Sequence, residues 1–345
     1  MKIASTFISI FGVLALVIPP GAAAKPDQGS VQANGITIAY ESFGKPDRAT
    51  ILLVGGSGMQ LTDWPREFCE QLVQRGYRVV IYDNRDIGLS TQFTASGIPD
   101  FAAIVQAATD GKPSPLPYTL YDMADDAVGL LDALGIKKAH IVGASMGGII
   151  AQIVATDHPE HTLSLASIMA TDGKPGLPIF ANPERLAKIP PPGPDEDKKA
   201  YIARMVKTWQ VIGSQTYPQD EHVVLERVTR DAERSYCPSC DARQGAASLF
   251  TTLEDRRLKI RTIKVPTIVI QGDEDPLIPM EAARDVAANI PGADLRIIHG
   301  MGHDIPPHLV NTVVDAILSA ASRADRTDKP AGSTKMVNQT ATSSQ

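Results

Sequence analysis

The sequence predicts an α/β fold: a mostly parallel sheet with helices on both faces and an inserted helical cap. Three observations carry this. Short β-branched runs alternate with helical patterns over most of the chain, the signature of a parallel sheet covered on both sides. Several of those runs end in glycine-rich or acidic turns, which is where ligand crevices open in such sheets. One stretch, from about 172 to 260, has helical spacing and no convincing buried strand.

The elements follow in order. Ala49-Thr-Ile-Leu-Leu-Val54 reads as a strand ending at Gly55-Gly56-Ser57-Gly58. Trp64, Phe68, Leu72 and Val73 recur at helical spacing, and Gly76 stops that helix. Strand Tyr77–Tyr82 comes next, then a helix from Leu120 to Leu134 closed by Gly135. Strand Ala139–Val142, a helix from Met146 to Asp157 and strand Leu163–Met169 complete the first half. The alternation resumes with strand Thr267–Ile270, a helix over Pro279–Asn289, strand Leu295–His299 and a helix from His308 to Ser322. Between the halves, a run of prolines leads into a helix carrying Ile202, Met205, Val206, Trp209 and Ile212 on one face. Val223 to Ala232 reads as another. This is expected to be a cap over the crevice, inside one domain spanning 25–323.

Composition bounds the partners. Of 345 residues, 43% are apolar and 21% charged, an ordinary globular balance that excludes disordered and fibrous classes. A net charge of −6 without a long Lys/Arg run argues against nucleic acid or an anionic bilayer surface as main partner. Three cysteines are too few for a disulfide-framed scaffold. No feature of the sequence sets an oligomeric state.

The two ends read as separate from the fold. Lys2, the apolar run from Phe7 to Ile18, the break at Pro19-Pro20-Gly21 and then Ala22-Ala23-Ala24 make residues 1–24 a secretory signal peptide, cleaved after Ala24. A buried helix would not end in Pro-Pro, and a membrane span needs about 20 apolar residues. A secreted or periplasmic protein without a stable membrane anchor is therefore expected. Residues 324–345 are rich in Ser, Thr, Lys and Asp and bury too little to offset their ordering entropy, so a disordered tail is expected. Asn338-Gln339-Thr340 matches a glycosylation acceptor, a short motif that the tail does nothing to support.

The chemistry lies at the strand ends. Gly143-Ala144-Ser145-Met146-Gly147 is G-x-S-x-G between a strand and a helix. Small neighbours there let backbones pass closely, and the serine hydroxyl projects at the positive end of the helix. A hydroxyl is a weak nucleophile near neutral pH and needs a base oriented by a carboxylate. Asp273, Glu274 and Asp275 follow one late strand, and Gly302-His303 follows the next. The order Ser145, Asp275, His303 is that expected of a hydrolase triad.

On these residues the chain resembles the α/β-hydrolase family, from about Ile36 to Ser322. Gly272-x-x-Asp275-x-x-x-Pro279 looks like the family's acid loop and Gly302-His303 its histidine loop. The resemblance therefore singles out Asp275 over Asp273 and Glu274, and His303 over His299 and His308. Gly55-Gly56-Ser57-Gly58 occupies the place of the family's His-Gly-x-Gly. By that correspondence the oxyanion donors are the N–H groups of Met146 and Ser57, with Gly56 as the alternative to Ser57. The run from Leu53 to Ser90, with Leu61-Thr-Asp-Trp-Pro65 and Asp83-Asn-Arg-Asp-x-Gly-Leu-Ser90, is similar to aclacinomycin methylesterase and its relatives, serine hydrolases that remove a methyl ester from a polyketide.

Other residues take structural readings. Asp83 and Arg85 are expected to satisfy one another and fix their loop. Cys237-Pro-Ser-Cys240 has dithiol spacing but lies in the cap and not at the head of a thioredoxin-like helix, so a local disulfide or unreactive thiols are expected. Cys69 reads as a small buried hydrophobe. Phe180, Tyr201, Met205 and Trp209 are pocket candidates. The expected function is exported hydrolysis of a carboxylic ester of a small molecule, methyl esters included, through an acyl-enzyme, with no cofactor or metal required. Peptidase, thioesterase and acyltransferase chemistry on the same fold is the alternative, as is a non-catalytic small-molecule-binding homologue.

Overall fold

The computed structural model describes residues 26–193 and 196–327. Its strands are β1 (Asp27–Ala33), β2 (Ile36–Phe43), β3 (Thr50–Val54), β4 (Arg78–Tyr82), β5 (Ala139–Ala144), β6 (Thr162–Ile168), β7 (Thr267–Gly272) and β8 (Asp294–Ile298). They form one sheet in the order β1-β2-β4-β3-β5-β6-β7-β8. β1 and β2 are antiparallel, β2 is antiparallel to β4, and every later pairing is parallel. The β1–β2 hairpin lies outside the sequence reading. Its turn is Asn34-Gly35, both at positive φ (47° and 77°), the backbone a two-residue hairpin requires.

The helices are α1 (Arg66–Gln74), α2 (Phe101–Thr109), α3 (Leu120–Ala133), α4 (Met146–Asp157), α5 (Pro183–Leu186), α6 (Lys198–Ile212), α7 (Glu221–Arg234), α8 (Pro238–Thr252), α9 (Arg257–Ile260), α10 (Met280–Asn289) and α11 (Val310–Thr327), and α1, α3, α4, α10 and α11 cover the two faces of the sheet. Strand alternation divides the core in two. Leu52 and Val54 of β3 face one cluster, with α3 and α4 supplying Leu120, Met123, Leu131, Ile150 and Ile153. Ile51 and Leu53 face the other, with Phe68 and Leu72 of α1 and Val313 and Ile317 of α11. Both faces are thus dry, which is why the parallel strands read as continuous apolar runs.

The described residues of 169–266 contain α5 to α9 and no strand. α6 and α7 share a small apolar cluster of their own, Val206, Val224 and Val228, with Ile202, Met205 and Trp209 against it. Their N-termini are capped by Asp197 and Asp220, which satisfy otherwise orphaned N–H groups. Polar contacts hold this layer to the sheet domain. Arg243 of α8 forms a two-pronged pair with Asp86, Nε–Oδ2 2.7 Å and Nη2–Oδ1 2.9 Å. Arg234 of α7 does the same to Asp83. Gln244 accepts from the Gly58 N–H and donates to the Arg85 carbonyl.

Three readings need revision. Asp83 and Arg85 do not pair with each other: Asp83 is taken by Arg234, while Arg85 turns to Asp126 at 2.6 Å. Cys237 and Cys240 form a local disulfide, one of the two states expected; what differs is their place, at the head of α8 with Cys237 as its N-cap, because Pro238 starts the helix one residue later. α11 continues to Thr327, past the boundary expected at 324. Ala324 is buried, and Asp325 Oδ2 accepts the Tyr77 hydroxyl at 2.7 Å, so composition understated what this turn contacts. The expected signal peptide, 1–24, and residues 328–345 of the expected tail, including Asn338, lie outside the described residues. Among the described residues, no helix is long and apolar enough to cross a membrane.

Candidate active site

The turn from β5 into α4 is shaped by its small residues. Ser145 sits at φ 57°, ψ −123°, a conformation that costs energy and persists only where the surroundings enforce it. Here they do. The Ser145 N–H donates to the Ile168 carbonyl at 2.9 Å, locking the turn to β6. A Cβ on Gly143 would land on the carbonyl of Gly147, and one on Gly147 would land on the carbonyl of Val54. Glycine at both positions lets the turn pass between two strands and point the serine side chain outward.

The loops after β7 and β8 bring two further side chains to this hydroxyl. His303 Nε2 lies 2.9 Å from Ser145 Oγ, and its Nδ1 lies 2.9 Å from Asp275 Oδ2. A carboxylate accepts only, so Nδ1 carries the proton and Nε2 presents its lone pair to the serine. Asp275 is held in turn: Oδ1 accepts the N–H groups of Leu277 and Ile278, and Oδ2 accepts Gln271 Nε2. Both Asp275 and His303 are 7% exposed. The histidine is also fixed from the cap side, since its backbone N–H donates to the Ile212 carbonyl at 2.8 Å.

The neighbouring carboxylates are engaged elsewhere. Asp273 pairs with His299 at 2.8 Å on the surface, and this contact holds the imidazole pKa above, and the carboxylate below, its ordinary range. Glu274 accepts from Gln215, Thr216 N–H and the Thr216 hydroxyl. The geometry therefore groups Ser145 with His303 and Asp275 and keeps Asp273, Glu274 and His299 apart from it.

The loop after β3 runs beside Ser145. A Cβ on Gly56 would come within 3.2 Å of Ser145 Cβ. The Gly56 N–H is already given to Met59 Sδ at 3.2 Å, and the Gly58 N–H to Gln244. Among the described residues the Ser57 N–H has no acceptor. Met146 opens α4, so its N–H has no carbonyl one turn back. Of the two candidates in this loop, Ser57 is the one with a free donor.

A cavity of about 1210 Å³ opens over Ser145 and His303 and is lined by Gly56, Ser57, Met205, Trp209 and Leu277 among others. Two pocket candidates, Phe180 and Tyr201, do not line it. Phe180 is 46% exposed on the cap surface. The Tyr201 hydroxyl donates to Asp241 Oδ2 at 2.7 Å and its ring packs edge-on against Tyr236, so it serves the cap's interior. Several polar residues of the wall were not anticipated, Asp63 and Arg227 among them. Asp63 lies in the Leu61-Thr-Asp-Trp-Pro run; burial and the adjacent Asp231 push its carboxyl up to about 8. Arg227 lies on α7 with its guanidinium 4.3 Å above the Trp209 ring. Among the described residues, no cluster of His, Cys, Asp and Glu is arranged to hold a metal ion.

Comparison with known proteins places this geometry. Residues 49–306 match the family described as alpha/beta hydrolase fold. The chain is 30% identical over 310 residues to rhodomycin D methylesterase DauP of Streptomyces sp. (strain C5), covering 84% of this chain and 96% of that protein. It is 28% identical to rhodomycin D methylesterase DnrP of Streptomyces peucetius over the same 84% of this chain and 96% of the relative. Among solved structures, the enol-lactonase from Burkholderia xenovorans LB400 superposes with a TM-score of 0.62 at 22% identity, covering 85% of this chain and 100% of that one, a likeness of fold.

Proposed function

This chain belongs to the alpha/beta hydrolase family, and we propose that it is an exported serine hydrolase that cleaves a carboxylic ester, including a methyl ester, of a small molecule. The observation that carries this is His303 bridging Ser145 Oγ and Asp275 Oδ2, 2.9 Å to each. Likeness to two methylesterases supports the ester.

His303 Nε2 takes the proton of Ser145 as Oγ attacks the ester carbonyl. Asp275 holds Nδ1–H and stabilises the imidazolium that forms. The tetrahedral oxyanion rests on the N–H groups of Met146 and Ser57, donors in place before the charge develops. Collapse expels the alkoxide, which leaves as alcohol with the proton from His303. Water then loses a proton to His303 and attacks the acyl-serine, releasing the acid and restoring Ser145. Every proton has a named carrier within the chain.

Export rests on the leader composition of residues 1–24 and is supported by the Cys237–Cys240 disulfide, a bond that persists in oxidising compartments. Cell fractionation with N-terminal sequencing tests it; a cytosolic protein retaining Met1 overturns it.

A fluorophosphonate probe should label Ser145 in the intact protein, and Ser145→Ala should remove both the label and p-nitrophenyl ester turnover. Labelling elsewhere, or turnover in Ser145→Ala, moves the nucleophile. A panel of esters, amides and thioesters decides the bond cleaved: preference for amides or thioesters overturns the ester assignment.

A further inference from the structure

The loop between β3 and α1 carries the Ser57 donor and is fastened at its start, middle and end. At its start the Gly55 carbonyl accepts Asn84 Nδ2 at 3.1 Å. At its end Gln60 is held by Asp63, by the Asp231 carbonyl and by Arg234. Between them the chain turns: the Met59 N–H donates to the Gly56 carbonyl at 3.2 Å and Gly58 has φ 72°, the pattern of a tight turn with glycine third. Hydrogen bonds inside a turn fix its shape but not its place. Packing does not place Ser57 either, since it is exposed to the cavity. Among the described residues, the one hydrogen bond that ties residues 56–59 to another element runs from the Gly58 N–H to Gln244 Oε1, 2.8 Å.

Gln244 is itself held still. It is wholly buried, and its Nε2 donates to the Arg85 carbonyl at 2.6 Å. One partner is an N–H and the other a carbonyl, so a single orientation of the amide satisfies both. Arg85 is fixed in turn by Asp126, which accepts its Nε and Nη2 at 2.6 and 2.7 Å. Arg243, the residue before Gln244, is pinned to Asp86. On the other side α8 passes close to Ser57: a Cβ on Gly245 would stand 3.9 Å from Ser57 Oγ. A rigid connection therefore runs from Asp126 through Arg85 and Gln244 to Gly58, one residue from the Ser57 N–H.

Resting on the ester-hydrolase reading above, we propose that Gln244 is a positioning residue for the oxyanion hole: by holding the Gly58 N–H it aims the preceding N–H, that of Ser57, at the oxyanion formed on Ser145. Without it the turn is fastened only at Gly55 and Gln60 and can rock between them. Donors stabilise a developing charge only where they already stand in place, and a displacement of about 1 Å is enough to cost much of the rate. Gln244 does not line the cavity, so the substrate's ground state gains and loses nothing by its removal.

The test uses the full protein and a p-nitrophenyl ester, with reactive sites counted by complete fluorophosphonate labelling so that rates are per active enzyme. Gln244→Met, similar in length but without the amide oxygen, should lower kcat about 10- to 100-fold and leave KM within about twofold. An alkyl trifluoromethyl ketone supplies a readout that lost stability would not move. Ser145 Oγ adds to its carbonyl carbon, the hydroxyl proton passes to His303, and the ketone oxygen becomes an oxyanion in the hole. Its inhibition constant should rise by about the factor that kcat falls. Gln244→Glu keeps an acceptor for Gly58 and should lose less than Gln244→Met. Should Gln244→Met not fold, Gln244→Asn, one methylene too short to reach both partners, takes its place with the same expected fall. Unchanged kcat per active site, a rise in KM in place of a fall in kcat, a ketone affinity that does not follow kcat, or an equal loss in Gln244→Glu overturns the role of Gln244 alone. Failure of the wild type to cleave any ester, with Ser145 unlabelled by fluorophosphonate, overturns the hydrolase reading and this inference with it.

Discussion

His303 Nδ1 and Asp275 Oδ2 lie 2.9 Å apart at a carboxylate whose remaining acceptor sites are filled by Leu277, Ile278 and Gln271. Asp275→Asn keeps an oxygen for the two backbone N–H groups but aims its amide N–H₂ at His303 and Gln271, both of which also donate. The imidazole must then turn its lone pair inward and present N–H to Ser145. We expect kcat to fall by about 10³- to 10⁴-fold with little change in KM, measured on a p-nitrophenyl ester. A loss under about tenfold would mean that the tautomer is not set by Asp275.

Gly147 leaves no room for a side chain, because a Cβ there would land on the Val54 carbonyl. Gly147→Ala is expected to cost more than about 4 kcal/mol and to abolish soluble, folded protein. Gly193→Ala is the control: that residue has nothing near its missing Cβ, and its thermal midpoint should stay within about 1–2 °C. Normal folding of Gly147→Ala would contradict the turn geometry at Ser145.

How much of this was legible in the sequence depends on how local each signal is. Ser145, Asp275 and His303 each sit in a short pattern after a strand, which narrows the search to a few residues. It is the resemblance to the hydrolase acid and histidine loops that separates Asp275 from Asp273 and Glu274, and His303 from His299. Arg243 and Asp86, or Arg234 and Asp83, are separated by more than a hundred residues, and no local spacing marks such pairs; only the docking of the cap brings them together. Tyr201 shows why apolar periodicity is a weak guide to a pocket, since its hydroxyl found Asp241 and took the ring away from the cavity. The β1–β2 hairpin is marked in the sequence by Asn34-Gly35, a dipeptide characteristic of hairpin turns, but β1 is largely polar and exposed, so no apolar run announces it.

The Arg243–Asp86 pair is almost wholly buried, at 1% and 0% exposure of the two side chains. Arg243→Met strands a carboxylate that retains the Tyr118 hydroxyl and the Phe93 N–H but no counter-charge and should lower unfolding free energy by about 3–5 kcal/mol. The double variant Asp86→Asn/Arg243→Met should cost clearly less than the sum of the single changes. Urea unfolding of the four proteins measures the coupling; additive losses would show that the two residues do not act as a pair.

Asp63 makes stability pH-dependent. Its carboxyl, pushed up to about 8, stays protonated in the folded chain where the unfolded chain has already released its proton. The stability this contributes is complete below the ordinary carboxylate range and is lost as pH rises through about 8. Asp172 and Asp241, raised to about 6 by burial, act with the same sign at lower pH. Wild type should therefore lose stability from about pH 4 to 8, while Asp63→Asn removes the Asp63 share of that slope and leaves the part between about 6 and 8 nearly flat. Urea midpoints across that range are the measurement, and parallel curves for the two proteins would exclude Asp63 as the titrating group.

Two carboxylates of the loop after β4, Asp83 and Asp86, receive their counter-charges from the cap, through Arg234 and Arg243. This bears on recombination. A chimera that takes residues 169–266 from a relative while keeping loop 83–90 leaves two buried acids without counter-charges unless the donor segment brings an arginine to each place. The segment that forms the pocket roof and the loop beneath it are therefore one unit of exchange, although more than seventy residues of chain separate them. Substrate range in this scaffold should be moved by transplanting both pieces together.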